Sequence, residues 1–319
     1  RAMSGSDDDG SLHTPLCDLL GCKVPVLLAG MGGVSRWELA SAVTNAGGFG
    51  TLGMGREAPG VIADEIKAMQ AATDRPFAVN LIPGATEPGL LDAQIALCLE
   101  LGVTAFSFFW DVVPNALTRV KAAGGLVLHQ VGTVETAQMA EDAGADVIIA
   151  QGIEAGGHRG VFQPDGEDKK LKTRELIKML TGSSKLPLVA AGGIMNRNQL
   201  IAMTQAGATA VQMGTAFLTC TESGTSQEYK EMLLNQKTRP SLFTRAFSGR
   251  PARALENEFI SLMQGQPLLP FPLQNTMTAS IRKKAQKLEN PEYQSLWAGE
   301  NYRECRKQSV AELIERMSL

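Results

Sequence analysis

Apolar and polar positions follow two rhythms along this chain. From residue 24 to residue 215, short unbroken apolar runs are separated by stretches in which apolar residues recur every three or four positions. The runs predict strands at Val24–Ala29, Gly48–Leu52, Phe77–Ile82, Ala105–Phe109, Leu126–Gln130, Asp146–Gln151, Leu188–Ala191 and Ala210–Met213. The spaced stretches predict helices at Arg36–Asn45, Gly60–Ala72, Gly89–Leu101, Asn115–Ala122, Val134–Asp142, Arg174–Thr181 and Asn198–Gln205. Strands that are apolar throughout, rather than at alternate positions, belong to parallel sheets covered on both faces. Four helices end on the same pair: Ala46-Gly47, Ala123-Gly124, Ala143-Gly144 and Ala206-Gly207. Glycine can adopt the left-handed conformation that closes a helix and turns the chain back.

Eight strands with helices between them predict an α/β fold, the TIM (β/α)8 barrel. A doubly wound sheet would want a dinucleotide fingerprint in its first turn. That turn reads Gly30-Met31-Gly32-Gly33-Val34-Ser35, and no acid ends the second strand, where Leu52-Gly53-Met54 stands. The barrel is the better fit. After Thr215 the rhythm changes. Ser226–Gln236 reads as helix, Arg239–Arg253 as turn and basic residues, Gln264–Gln274 as a Pro-rich segment, and helical patterning returns over Thr276–Leu319. The expected organisation is a disordered tail at 1–13, a barrel over 14–222, a small, mostly helical cap over 223–300 and a C-terminal helix over 301–319.

Composition narrows the function. With 319 residues and 44% hydrophobic content, the chain can bury one large core. Lys plus Arg number 30 against 33 Asp plus Glu, a net charge of −3. That balance argues against a broad basic surface for nucleic acid or an anionic membrane. No apolar run approaches the roughly 18 residues of a membrane span, and no signal-peptide pattern is expected at the polar start Arg1–Gly10. Five scattered cysteines (Cys17, Cys22, Cys98, Cys220, Cys305) point to reduced thiols and a cytoplasmic setting. Cys17 and Cys22 lack a second ligand pair, so no metal is expected.

The site of such a barrel lies at the C-terminal ends of its strands, and a phosphate commonly sits between the loops after the seventh and eighth. Those loops read Ala190-Ala191-Gly192-Gly193-Ile194 and Gln212-Met213-Gly214-Thr215. Their glycines let backbone amides approach a phosphate. The sixth strand runs into Gln151-Gly152-Ile153-Glu154-Ala155-Gly156-Gly157-His158. Gly156-Gly157 would let the chain pass close to a flat ligand. His158 offers a ring that can give or take a proton near neutral pH. Glu154 reads better as a plain loop carboxylate than as a base. His129 divides between the barrel mouth and a hydrogen-bonded core histidine. Cys220 reads as a buried thiol, Phe106 and Phe108 as core, and Trp110 as a candidate pocket wall.

These motifs, with Ala29-Gly30-Met31 and Phe77-Ala78-Val79-Asn80, resemble the nitronate monooxygenase (2-nitropropane dioxygenase) family over roughly Pro25 to Phe217. The flavin-dependent enoyl-acyl-carrier-protein reductase of some bacteria carries a similar glycine-histidine run. The resemblance implies a barrel holding FMN, its phosphate on Ala191, Gly192, Gly193, Gln212, Met213, Gly214 and Thr215. It further implies that Ala29, Gly30, Met31, Asn80, Gln130, Gln151, Gly156 and Gly157 lie along the cofactor. The implied reaction oxidises an alkyl nitronate with dioxygen to a carbonyl compound and nitrite, with His158 as donor or base. Its implied partners are a small nitro compound and dioxygen, with a homodimer as one oligomeric option. Leu296-Trp297-Ala298-Gly299-Glu300 resembles a late family segment, but with Glu300 where Gln is usual, and the following residues are bulkier. Two other activities stay open: NAD(P)H-dependent enoyl-thioester reduction, and a non-redox barrel lyase or isomerase acting on a phosphate ester.

Overall fold

A computed structural model of the chain describes residues 12–161, 166–235 and 237–319. Its strands are β1 (Val26–Leu28), β2 (Thr51–Gly55), β3 (Ala78–Leu81), β4 (Ala105–Phe109), β5 (Leu126–Val131), β6 (Val147–Gln151), the two-residue β7 (Gly157–His158), β8 (Leu188–Ala191), β9 (Ala210–Met213), β10 (Ser241–Thr244) and β11 (Ala252–Leu255). Its α-helices are α1 (Pro15–Leu20), α2 (Trp37–Asn45), α3 (Pro59–Ala72), α4 (Pro88–Glu100), α5 (Pro114–Ala122), α6 (Val134–Asp142), α7 (Thr173–Thr181), α8 (Arg197–Ala206), α9 (Thr215–Leu218), α10 (Gln227–Asn235), α11 (Glu258–Met263), α12 (Leu273–Lys287) and α13 (Val310–Ser318).

Eight strands form one parallel sheet in the order β1-β9-β8-β6-β5-β4-β3-β2. The open ends meet where Leu28 N donates to Phe49 O and Phe49 N donates to Val26 O, both at 2.9 Å. The result is the TIM barrel expected from the pattern. Every predicted strand and helix of residues 24–215 is present, with ends shifted by at most three residues. The four Ala-Gly pairs behave alike. Gly47, Gly124, Gly144 and Gly207 all have positive φ. The amide after each, in Gly48, Gly125, Ala145 and Ala208, reaches the carbonyl five residues back at 3.0 Å.

The unbroken apolar runs have a simple cause: both faces of each strand are buried. On β6, Val147 and Ile149 join the barrel interior with Leu27, Leu128 and Val189, while Ile148 and Ala150 pack under the helices. Helix α1 adds Leu16, Cys17 and Leu20 to that interior cluster, beside the first residues of β3, β4, β6 and β9. It therefore plugs the end of the barrel opposite the strand C-termini.

The C-terminal third departs from the pattern in two places. Arg239–Arg253, read as turn and basic residues, contains β10 and the start of β11, which join β7 in an antiparallel sheet. Four-residue strands are too short for alternation to register. Helical patterning over Thr276–Leu319 resolves into α12, two single 3-10 turns at Pro291–Tyr293 and Tyr302–Glu304, and α13, so the α-helical part of the expected C-terminal helix over 301–319 begins at Val310. Just past α12, Glu289 takes φ +53° and Asn290 precedes Pro291, a combination that stops a helix. Of the expected tail, residues 1–11 lie outside the described residues.

Because Ile149 is fully buried in the barrel interior, Ile149→Ala should lower stability by about 2–5 kcal/mol. Urea unfolding followed by circular dichroism measures this directly.

Candidate active site

The strand C-termini open into a cavity of about 650 Å3. Its wall takes Ala29, Gly30 and Met31 from the turn after β1, Asn80 from β3, Gln130 from β5, and Ala191, Gly192, Gly193, Gln212, Met213, Gly214 and Thr215 from the β8 and β9 ends. Gly156, Gly157 and His158 complete the set read from the sequence. Gln151 is the exception. It is buried behind the glycine loop, donating from Nε2 to His158 O at 3.0 Å and accepting the Gly160 amide at 2.6 Å. Its amide holds that loop, and Gln151 is not among the residues that line the cavity.

The β8 loop is tightly constrained. Gly192 and Gly193 have φ +116° and +75°, and a Cβ on Gly192 would lie 2.9 Å from Thr173 Oγ1. Glu154 Oε2 accepts from Thr173 N at 2.9 Å, and Thr173 Oγ1 lies 2.9 Å from the same oxygen, 3.2 Å from Ala191 O and 3.0 Å from Gly192 O, its one hydrogen serving one of the three. Glu154 is thus a clamp on the loop and does not line the cavity, in line with its reading as a plain carboxylate. The late segment adds a second clamp. Asn301 Nδ2 donates to Gly193 O at 2.7 Å, and the Gly299 amide donates to Thr215 Oγ1 at 2.9 Å. With those carbonyls and hydroxyls engaged, the glycine backbone is presented to the cavity in a fixed geometry.

His158 stands on β7, whose partner is β11: Ala252 pairs with His158 and Arg253 with Gly157. Its ring lies between Trp110 and Trp297, with both centroids 5.2 Å away. Nε2 is 2.8 Å from Ser248 Oγ, which also lies 3.3 Å from Arg250 O. If Ser248 donates to that carbonyl, Nε2–H donates to Ser248 and Nδ1 is the acceptor nitrogen. The opposite tautomer makes Nδ1–H a donor. Burial, then the charges of Arg250, Arg282 and Arg56, push the imidazole down to about 3. The imidazole is therefore neutral near neutral pH.

Other sequence candidates resolve cleanly. His129 is fully buried, edge-on to Phe108, and pushed down to about 4 by burial, which makes it core. Cys220 is buried with its thiol pushed up to about 12 by desolvation, an inert thiol. Phe106 and Phe108 are core, and Trp110 walls the cavity. Trp110 takes φ +67° and fixes its indole by donating to Arg159 O at 2.9 Å.

The cavity also contains residues that sequence reading passes over. Arg56, Phe271, Arg282 and Lys283 line its mouth. Arg56 and Arg250 lie 5.4 and 5.1 Å from the Phe271 ring centroid, and Arg250 lies 4.2 Å from that of Trp110. Among the described residues no Asp or Glu lines this cavity. Cations over aromatic walls, with no carboxylate in the lining, favour anionic ligands. Trp297, by contrast, stands in a segment that the resemblance marks. No group of three or more metal-ligating side chains is assembled among the described residues.

The histidines make a testable set of three. His13 is raised by its hydrogen bond to Asp18, while His129 and His158 are depressed. Proton NMR should show one imidazole titrating between pH 5 and 8 and two that remain neutral. The unfolded chain binds more protons than the folded one between the ordinary histidine value near 6.5 and the depressed values. The contribution of His129 and His158 to stability should therefore be complete above about pH 6.5 and decline as pH falls toward 3, read as a falling melting temperature, while the raised His13 acts in the opposite sense.

Comparisons with known proteins agree with this geometry. The profile of the nitronate monooxygenase family matches residues 13–89 and 84–319. A nitronate monooxygenase of Pseudomonas aeruginosa is 36% identical, covering 94% of this chain and 96% of that one. A probable nitronate monooxygenase of Staphylococcus saprophyticus is 35% identical over 96% and 97%. Among solved structures, the nitroalkane oxidase from Streptomyces ansochromogenes superposes with a TM-score of 0.89 at 34% identity, covering 95% and 96% of the two chains. FabK from Thermotoga maritima superposes with a TM-score of 0.84 at 31% identity over 96% and 94%. The chain belongs to the nitronate monooxygenase family.

Proposed function

We propose that the chain is a cytoplasmic flavoenzyme that oxidises alkyl nitronates with dioxygen to a carbonyl compound and nitrite, using FMN. The observation that carries this reading is a neutral His158 in a cavity whose charged lining is entirely cationic. Both expected occupants are anions, a phosphate-bearing cofactor and a nitronate. Family membership supports the oxidation of nitro compounds. Buried, unpaired thiols at all five cysteines suit a reducing compartment.

The residues present fit FMN. The Gly192-Gly193 and Gly214-Thr215 backbones, held by Thr173, Glu154 and Asn301, would take the phosphate through amides without a lysine clamp. Gln130 and Gln212, joined by a 2.8 Å hydrogen bond, and Asn80, anchored to Ser107 O, would meet the ribityl chain and ring. When bound, FMN supplies the two-electron redox chemistry. The protein's part is to orient and to move a proton. His158 holds a nitro oxygen when Nδ1 carries hydrogen, or accepts the α-proton of a neutral nitroalkane when it does not. Trp110 and Trp297 exclude water from that ring. Similarity to FabK favours a second reading, enoyl-thioester reduction with NAD(P)H on the same frame. Anaerobic mixing separates the two: bleaching of the flavin by nitronate supports the first, and rapid bleaching by NADPH the second.

Two variants test the assignments. His158→Ala should retain flavin absorbance while turnover falls by roughly 10²–10⁴-fold. Loss confined to the neutral nitroalkane identifies a base, equal loss on both substrate forms identifies anion positioning, and wild-type rates on both refute any role. Gly214 has φ −118°, and a Cβ there would meet Met31 Sδ at 3.3 Å and Ala29 Cβ at 3.4 Å, tight but foldable. Gly214→Val should therefore purify folded and largely colourless. Full flavin occupancy in that variant would overturn the phosphate site.

A further inference from the structure

Helix α12 is inside out. Its buried positions are Gln274, Thr278 and Ala285. Gln274 Nε2 donates to Ala246 O at 2.7 Å and Thr278 Oγ1 to Phe247 O at 2.5 Å, so polar bonds seat the helix. Its large apolar side chains point away from the protein: Leu273 is 55% exposed, Met277 65% and Ile281 42%, with Leu288 at 63% just past the end. At about 100° per residue these four share one face. Asn275, Ala279, Arg282 and Gln286, which line the cavity, occupy the opposite face. The helix is a lid with one side over the site and the other turned outward.

Exposed apolar residues also recur in the chain just before the helix. Leu262, Leu268 and Leu269 on the preceding segment are exposed as well, so seven of the eleven exposed large hydrophobics among the described residues fall between 262 and 288. Single exposed leucines are ordinary, whereas a contiguous apolar patch marks an interaction site. Charge is segregated in the same place. From Phe259 to Leu288 the sequence contains no Asp or Glu but carries Arg282, Lys283, Lys284 and Lys287, in a chain whose net charge is −3.

We propose that this face docks on an anionic lipid surface, which sets the cavity mouth at the edge of the bilayer. The composition of the patch selects that occupant. Its exposed apolar members are five leucines, one methionine and one isoleucine, without an aromatic, and the flanking exposed charges on the outer side are lysines. Protein interfaces are enriched in aromatics and arginine and depleted of lysine. Helices that lie in a lipid interface pair an apolar face, leucines among its members, with lysines and arginines that reach the headgroups. A second copy bound symmetrically would bury the same lysine-bearing face of both chains. The remaining negative surface makes the approach orientation-dependent, since only this side is attracted. Overall charge argues against a membrane partner only for a broad basic surface; the balance conceals a local basic and apolar patch. This inference does not depend on the nitronate reading, because binding is read without turnover.

Flotation of the full chain with vesicles tests it. Partition should be at least about tenfold stronger into phosphatidylcholine containing phosphatidylglycerol than into phosphatidylcholine alone, and should weaken as salt rises. Met277→Asp and the pair Lys284→Glu/Lys287→Glu lie outside the cavity lining. Each should lower partition by about tenfold with unchanged circular dichroism and unchanged turnover. Absence of partition, equal partition into both vesicles, or variants that partition like the parent would overturn the proposal. So would a dimer of the parent chain that Met277→Asp converts to monomer, since a second copy would then own the face.

Discussion

A two-residue pairing holds the site together. The strand Gly157–His158 is too short to exist alone, and it stays in place because β11 pairs with it in register. The same β11 pairs with β10 on its other edge and bridges through Ala254 to Trp297. Arg253 reinforces the contact, donating from Nε and Nη2 to Ile153 O while stacking on Phe243. Below the strand, Gln151 holds the carbonyl of His158 and the amide of Gly160. The barrel delivers the histidine, and the cap decides where it points. Remove the pairing and the ring loses Ser248, Trp297 and its desolvated surroundings together.

This division explains what can be read from the chain. Barrel strands buried on both faces leave an unmistakable apolar run, and the Ala-Gly helix ends leave a local signature that needs no tertiary knowledge. The wall residues Asn80, Gln212 and Gly214 are legible because they follow strand ends whose position the fold dictates. The hydrogen-bond partners of Gln151 are not legible, for the opposite reason. That residue follows a strand end too, but whether its amide faces cavity or loop depends on the chain segment that comes back to it at His158 and Gly160. Ser248 and Arg250 are invisible, since nothing local announces that their turn comes to rest against His158. The departure at Glu300 is accommodated without strain: its amide bonds Glu154 O at 2.9 Å, a contact made by backbone and indifferent to the side chain.

Electrostatics in this protein is a matter of arrangement more than of totals. Acids and bases nearly cancel over the chain, yet the cavity keeps Arg56, Arg282 and Lys283 without a facing carboxylate. Two of those cations also hold down the basicity of His158. Burial is the larger cause of that depression, and the guanidinium groups add to it. Under the function proposed above, anion binding and proton handling would fall to different residues.

The clamps on the β8 and β9 loops have a consequence for how the protein is made. Asn301 reaches back 108 residues to Gly193, and Gly299 reaches back 84 to Thr215. A ribosome releases all eight barrel strands before it has polymerised either residue. The strands can thus close around their interior while the glycine loops are still unheld. Completion of the outer core is as late as maturation of the pocket, since Val310, Leu313, Ile314 and Met317 of α13 are buried against the barrel's helices and are made after both clamps.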